Sequence, residues 1–110
     1  MKIEVKIDVT DYQIDCVLSG AFEGGSNYWI DCVEVVDGNF KGAEFASDVI
    51  SKGGELLIDS KKLTKDMLVE GVKLYISNSK RYKNWFTSNM DSDDSDIILQ
   101  YALFGEVIYG

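Results

Sequence analysis

The densest run of potential ligands in the chain is Asp91-Ser92-Asp93-Asp94-Ser95-Asp96, where carboxylates at alternate positions could converge on a hard cation. Read as an EF-hand loop, the run fails. Its sixth position, which needs glycine for the turn, is Asp96, and its twelfth, which needs a bidentate glutamate, is Ala102. The expected role of these acids is a solvated flank at the start of a helix, or a negative surface that imitates phosphate. A metal-dependent enzyme using Asp91, Asp93, Asp94 and Asp96 ranks last among the readings, and neither a metal nor another cofactor is expected.

Other routes to catalysis are thin. The chain has no histidine, which removes the usual general base at neutral pH and every Ser-His or Cys-His pair. Cys16 and Cys32 form no CxxC pair and are expected to be buried thiols. The glycine pairs Gly24-Gly25 and Gly53-Gly54 fit neither GxGxxG nor a P-loop, and are read as helix ends. With no spacing that selects a pair of carboxylates, the chain is expected not to be an enzyme and to have no catalytic residues.

Aromatic residues carry more information. Tyr28 and Trp29 follow Gly24-Gly25-Ser26-Asn27, and Tyr82, Trp85 and Phe86 lie in a polar stretch, positions where no helix or strand stripe demands large rings. Such rings either close the open end of a small core or anchor an interface. Tyr28, Trp29, Tyr82 and Trp85, together with Asp91, Asp93, Asp94 and Asp96, form the candidate partner-binding set.

These residues need elements to position them. Ile3, Val5 and Ile7 alternate with charged residues and predict a first strand. Thr10 and Gln13 have capping-box spacing ahead of the stripe Ile14, Val17, Leu18, Ala21 and Phe22, which predicts a helix ending at Gly24-Gly25. A second strand is expected around residues 30 to 36, and a short helix through Ala43, Ala46, Val49 and Ile50 to Gly53-Gly54. Leu56-Leu57-Ile58 predicts a third strand, turning through Ser60-Lys61-Lys62 to a short return at Leu63. Thr64 caps a helix carrying Leu68, Gly71, Val72, Tyr75 and Ile76, which stops near Asn78. Residues 77 to 95 read as a surface loop and Ile97 to Phe104 as a helix opened by Ser95-Asp96. Residues 106 to 110 either continue that helix or return as an edge strand.

The fold class is α+β: a small mixed or antiparallel sheet of three to four strands, with helices packed mainly on one face, in a single globular domain over residues 1–110. At 110 residues and 45% hydrophobic, the chain can bury one core without disulfides or metal. No apolar run suits a membrane span or a signal peptide, which places the expected protein in the cytoplasm, without a membrane partner.

Charge is uneven along the chain. The net charge of −8 argues against direct binding to nucleic acid. Residues 61 to 83 nevertheless carry seven basic and two acidic groups, while residues 84 to 110 carry five acids and no base. Lys80, Arg81 and Lys83 could answer the Asp91 to Asp96 cluster across a short loop, or hold an anion of their own. The apolar tail, with Tyr101, Phe104 and Ile108, exceeds one helical stripe, so a homodimer through those residues is a further expectation, set against simple filling of the core.

Two segments stand out as distinctive, Glu23-Gly24-Gly25-Ser26-Asn27-Tyr28-Trp29 and the ending Gln100-Tyr101-Ala102-Leu103-Phe104-Gly105-Glu106-Val107-Ile108-Tyr109-Gly110. With Val33-Glu34-Val35, the stretch Ala46 to Leu56, and Leu63-Thr64 leading to Glu70-Gly71, the chain resembles a family of small uncharacterised bacteriophage and mobile-element proteins. That resemblance carries no activity. It implies an accessory protein of a phage or integrated element, a context in which small acidic proteins inhibit host defence in the manner of anti-CRISPR or anti-restriction proteins. The leading expectation is thus a non-catalytic protein that binds a host protein, itself one that could handle nucleic acid. The alternative is a small-ligand or nucleotide-binding module, with Tyr28, Trp29, Tyr82 and Trp85 stacking on a base and Lys80, Arg81 or Lys83 holding a phosphate.

Overall fold

The computed structural model describes residues 9–36, 46–79, 86 and 91–110. The expected first strand, most of the stretch from Asp37 to Ala46, and Lys80, Arg81, Tyr82, Lys83 and Trp85 lie outside the described residues. Within them the chain is α+β: four helices and a three-stranded antiparallel sheet around one apolar cluster.

Helix α1 (Asp11–Gly20) begins as its sequence predicts. The Thr10 hydroxyl accepts from the Gln13 amide at 3.2 Å, and the Gln13 side chain accepts from the Thr10 amide at 2.9 Å, a reciprocal cap on two otherwise orphaned donors. Ile14, Val17, Leu18 and Ala21 are fully buried along one stripe. The helical segment ends at the glycine pair as expected, but its last turn widens into a π-helical stretch, Ala21–Gly25, closed by the Ser26 amide donating to the Ala21 carbonyl at 2.8 Å.

Strand β1 (Val33–Val36), the short helix α2 (Ala46–Ser51) and strands β2 (Glu55–Ile58) and β3 (Lys61–Leu63) follow. Sheet order is β1-β2-β3, with Val35 opposite Leu56 and Leu56 opposite Leu63, so the alternate residues Leu56, Ile58 and Leu63 point into the core. The opposite face pairs Glu34 with Leu57 and Leu57 with Lys62, and Lys62 bridges to Glu55 at 3.1 Å. The hairpin turns at Asp59-Ser60 and not through Lys61-Lys62. Both turn residues have positive φ (50° and 71°), as a two-residue primed turn requires, and aspartate tolerates that conformation better than most residues. The Asp59 carboxylate also accepts from the Asp31 and Cys32 amides at 3.0 and 2.8 Å, tying the turn to the approach of β1.

Helix α3 (Lys65–Ser79) buries Leu68, Val72, Tyr75 and Ile76 as expected, with the Thr64 hydroxyl accepting from the Met67 amide. Helix α4 (Ser92–Phe104) starts well before the expected Ser95-Asp96. Asp91 is its N-cap: its carboxylate accepts from the Asp94 amide at 3.1 Å, and Asp94 returns the bond to the Asp91 amide at 3.1 Å. What reads as a solvated loop is a capping box built from two aspartates, with the positive end of the helix dipole favouring both carboxylates. Gly105, in the left-handed conformation at φ 75°, ends the helix. Residues 107 to 110 are neither helix nor strand, and the chain there turns back along α4.

Helix α4 packs between α3 and α1, and glycines set both separations. A Cβ on Gly71 of α3 would fall 2.8 Å from the Ile98 carbonyl oxygen and the Ala102 nitrogen, and one on Gly25 would collide with the Ser92 carbonyl. Gly25 thus serves close approach as well as the expected helix end. Among the described residues, no helix is long and apolar enough to cross a membrane.

Candidate functional site

Asp96 lies one turn inside α4 and is only 6% exposed. Four donors reach its carboxylate. Oδ1 accepts from the Ser26 hydroxyl and the Trp29 indole N–H, each at 2.7 Å, and Oδ2 accepts from the Tyr28 hydroxyl at 2.7 Å and Gln100 Nε2 at 3.1 Å. The π-helical stretch and the turn after it deliver Ser26, Tyr28 and Trp29, while α4 supplies Asp96 and Gln100 four residues apart on one face. Among the described residues, no cation takes part in these bonds; hydrogen bonds satisfy the buried oxygens.

Gln100, fully buried, extends the network to the tail. Its Oε1 accepts from the Ile108 amide at 2.9 Å and the Tyr109 amide at 2.8 Å, and its Nε2 also approaches the Tyr28 hydroxyl and the Tyr109 carbonyl, each at 3.3 Å. The Tyr109 ring stacks on Trp29 at 4.9 Å with 6° between planes, and Phe104 packs against both at 5.6 and 5.8 Å. Lys61 of β3 places its ammonium 5.5 Å from the centre of the Phe104 ring. The two most distinctive segments of the sequence therefore meet around one buried carboxylate.

The expected partner-binding residues divide. Tyr28, Trp29 and Asp96 come together, with Asp96 and the Trp29 indole nitrogen turned inward and Tyr28 still 58% exposed. Asp91, Asp93 and Asp94 occupy the start of α4. Asp91 and Asp94 are engaged in the cap, Asp94 also accepts from the Tyr75 hydroxyl at 2.9 Å, and Asp93 points to solvent. Asp93, Asp96 and Gln100 follow at i, i+3 and i+7, so Asp93 continues the face on which Tyr28 lies. The hydrogen bond to Asp96 pushes the Tyr28 hydroxyl up to about 12, with burial and the Asp96 and Asp93 charges adding in the same direction. Tyr82 and Trp85 lie outside the described residues.

Of the residues expected at a self-association surface, Tyr101 and Phe104 are half-buried and Ile108 is 50% exposed. A cleft of about 200 Å³ lined by Tyr75, Asn78, Ile97, Tyr101 and Val107 runs beside α3 and α4. It is smaller than typical ligand pockets, and among the described residues neither Tyr28 nor Trp29 lines it. Among the described residues, no group of three histidine, cysteine, aspartate or glutamate side chains could hold a metal. The thiols correct the expectation of burial: Cys16 is half-buried and Cys32 exposed, because Cys32 precedes β1 where the Asp59 carboxylate takes the backbone and leaves the side chain outside. Its Sγ donates to Glu34 at 3.4 Å, and that bond, with the surrounding acids, raises the thiol above its ordinary value.

Ser26, Gln100 and Tyr109 belong to the two distinctive segments but not to the candidate site residues that the sequence suggests. Gln100 left a signal there, as the one polar residue in the apolar run from Ile97 to Phe104. Ser26 left none. Comparison with known protein families, curated proteins and solved structures finds no match to this chain.

Proposed function

We propose that this chain is a non-catalytic binding protein that docks on a positively charged surface of another protein. The observation that carries the reading is the setting of Tyr28: a large ring left 58% exposed, its hydroxyl fixed on buried Asp96, the open carboxylate of Asp93 on one side and the exposed tail residues Ile108 and Tyr109 on the other. A preordered aromatic beside acid and apolar surface has the composition of an interface anchor, since little side-chain entropy remains to be lost on docking. The hub groups bond one another, which supports a structural and not a catalytic role for them. Net charge −8 favours a basic partner and disfavours nucleic acid or an anionic membrane, while the basic block at residues 61 to 83 weighs against mimicry of DNA over the whole surface.

With the resemblance to phage and mobile-element proteins, this becomes an accessory protein of the host cytoplasm that inhibits a defence protein by occupying its basic groove. The test is co-purification from infected or lysogenic host cells, with tagged wild type and the variant Asp93→Lys, an exposed change that leaves the α4 cap in place, compared at several salt concentrations. A host protein retained by the wild type, and lost from the variant and at high salt, is expected. Recovery of nothing above background, or equal retention by both chains, refutes the reading.

A further inference from the structure

The outer surface of the hub has a chemistry of its own. Tyr28 lies along the α4 face that carries Asp93, Asp96 and Gln100, and its hydroxyl donates to Asp96 at 2.7 Å while accepting from Gln100. Tyr109 has one ring face covered by Trp29, held parallel at 4.9 Å, and is still 42% exposed. Gly110 brings the tail against the Tyr28 hydroxyl, so the two tyrosines are neighbours. Asp93 precedes Asp96 by three residues on that face and the Ile108 amide is held a turn further on by Gln100, so the exposed Tyr28 ring has an acid towards one end of α4 and the tail with Tyr109 towards the other. A phenol that donates to a carboxylate gains electron density in its ring, which strengthens attraction for a cation over its face. The same aromatic cluster already holds one cation, Lys61 over Phe104 at 5.5 Å.

Two rings and a carboxylate discriminate between cations. A planar guanidinium can stack on a ring and present two N–H groups to Asp93 together, while a strongly hydrated ammonium can do only one of these well. We propose that Tyr28, Tyr109 and Asp93 form a docking site for an arginine side chain presented by an extended segment of a protein partner. The assignment rests on the binding function proposed above and names what that surface recognises. A second copy of the chain fits poorly, since each carries net charge −8 and a single arginine, Arg81. A free small molecule fits poorly too, because Tyr28 and Tyr109 stay 58% and 42% exposed, where a bound ligand needs to be largely enclosed.

The experiment is a titration of the isotopically labelled full chain with a short arginine-glycine peptide, its lysine counterpart and free arginine, followed by magnetic resonance. Expected are saturable shifts at the Tyr28, Asp93 and Tyr109 amides and upfield ring-current shifts of the arginine side-chain protons. The arginine peptide should bind about fivefold tighter than the lysine peptide, and free arginine more weakly than either peptide. Asp93→Lys, an exposed change, should weaken the arginine peptide about tenfold or more. Equal affinity for the two peptides, free arginine as tight as the peptide, shifts confined to another surface, or indifference to Asp93→Lys overturns the proposal. So does tighter binding by Arg81→Ala, which would make the chain's own arginine the occupant. Failure here with a partner still co-purifying in a manner sensitive to residue 93 removes the arginine site alone. Loss of both removes the binding function.

Discussion

Replacing Asp96 by alanine strips the acceptor from four donors at once, and their burial decides the cost. The Ser26 hydroxyl is fully buried and loses its charge-assisted bond with no water already at hand, while the equally buried Gln100 Nε2 loses its bond to Asp96 but keeps the Tyr109 carbonyl at 3.3 Å. An orphaned buried donor costs about 1–3 kcal/mol. Tyr28, largely exposed, turns its hydroxyl to solvent at little cost, and the half-buried Trp29 falls between. Removing a desolvated carboxylate returns part of the loss, as does water entering the space it leaves. The balance is a destabilisation of about 3 kcal/mol, a large share of the roughly 5–15 kcal/mol that holds a domain of this kind together. Asp93→Ala, three residues earlier on the same face, should cost no more than about 0.5 kcal/mol. Asparagine at position 96 should not rescue. Either orientation of the amide sets its NH2 against a group that can only donate, the Trp29 indole N–H on one side or Gln100 Nε2 on the other, while the Ser26 and Tyr28 hydroxyls can rotate to accept; Gln100 cannot invert because its Oε1 holds the Ile108 and Tyr109 amides. Urea unfolding followed by far-ultraviolet circular dichroism measures all three variants, with an unchanged denaturant slope showing that the unfolding reaction is the same. Asp96→Ala within about 0.5 kcal/mol of Asp93→Ala, or full rescue by asparagine, refutes the reasoning.

Gly25→Ala should destabilise by more than about 2 kcal/mol in the same assay, because its Cβ would meet the Ser92 backbone carbonyl, whereas Gly24→Ala, with open space around it, should be neutral or slightly stabilising. Tyr28 is held protonated in the fold, raised from 10.0 to about 12, so its contribution to stability is complete below pH 10 and is lost as pH rises from there towards 12. The stability difference between wild type and Tyr28→Phe should therefore be flat to about pH 10 and shrink above it; a difference that grows there contradicts the hydrogen bond to Asp96. Cys32 is exposed, yet its thiol is raised chiefly by the bond to Glu34, so alkylation near pH 8 should be slower than for a free cysteine and should accelerate in Glu34→Gln. An unchanged rate in that variant rejects the bond.

Local signals in the sequence led to local structure. The Thr10 and Gln13 cap, the stripes of α1 and α3, and the apolar triplet of β2 all appear where spacing puts them, because each depends on residues within two or three turns of one another. The start of α4 was missed for a physical reason: aspartate at both ends of a capping box is rarer than serine or threonine with glutamate, and four acids in six residues read as solvated chain. The turn at Asp59-Ser60 was displaced because positive φ falls on non-glycine residues there, sustained by backbone bonds to Asp59 from a strand entrance 27 and 28 residues away. Asp96 carries the same lesson further. Within its own segment it is one of four similar acids, and only donors about 70 residues earlier in the chain distinguish it.

The two segments that make the sequence distinctive are the two that converge on that carboxylate, which separates what their distinctiveness reports from what the protein binds. Gly25, Ser26 and Trp29 close the fold against α4, and Gln100 and the backbone at Ile108 and Tyr109 fix the tail to it. A chain that retained both segments would retain this closure whatever its partner, since nearly every one of those groups faces inward. Under the proposed binding function, specificity would reside in the side chains that the closure leaves exposed, among them Asp93, Tyr28, Tyr109 and Ile108. The buried network would then serve binding through what it holds still, because a tyrosine bonded at its hydroxyl and another stacked on an indole lose little further freedom when a partner docks. Loosening the hub and altering its outer surface are therefore separable: the first should lower stability and affinity together, the second affinity alone.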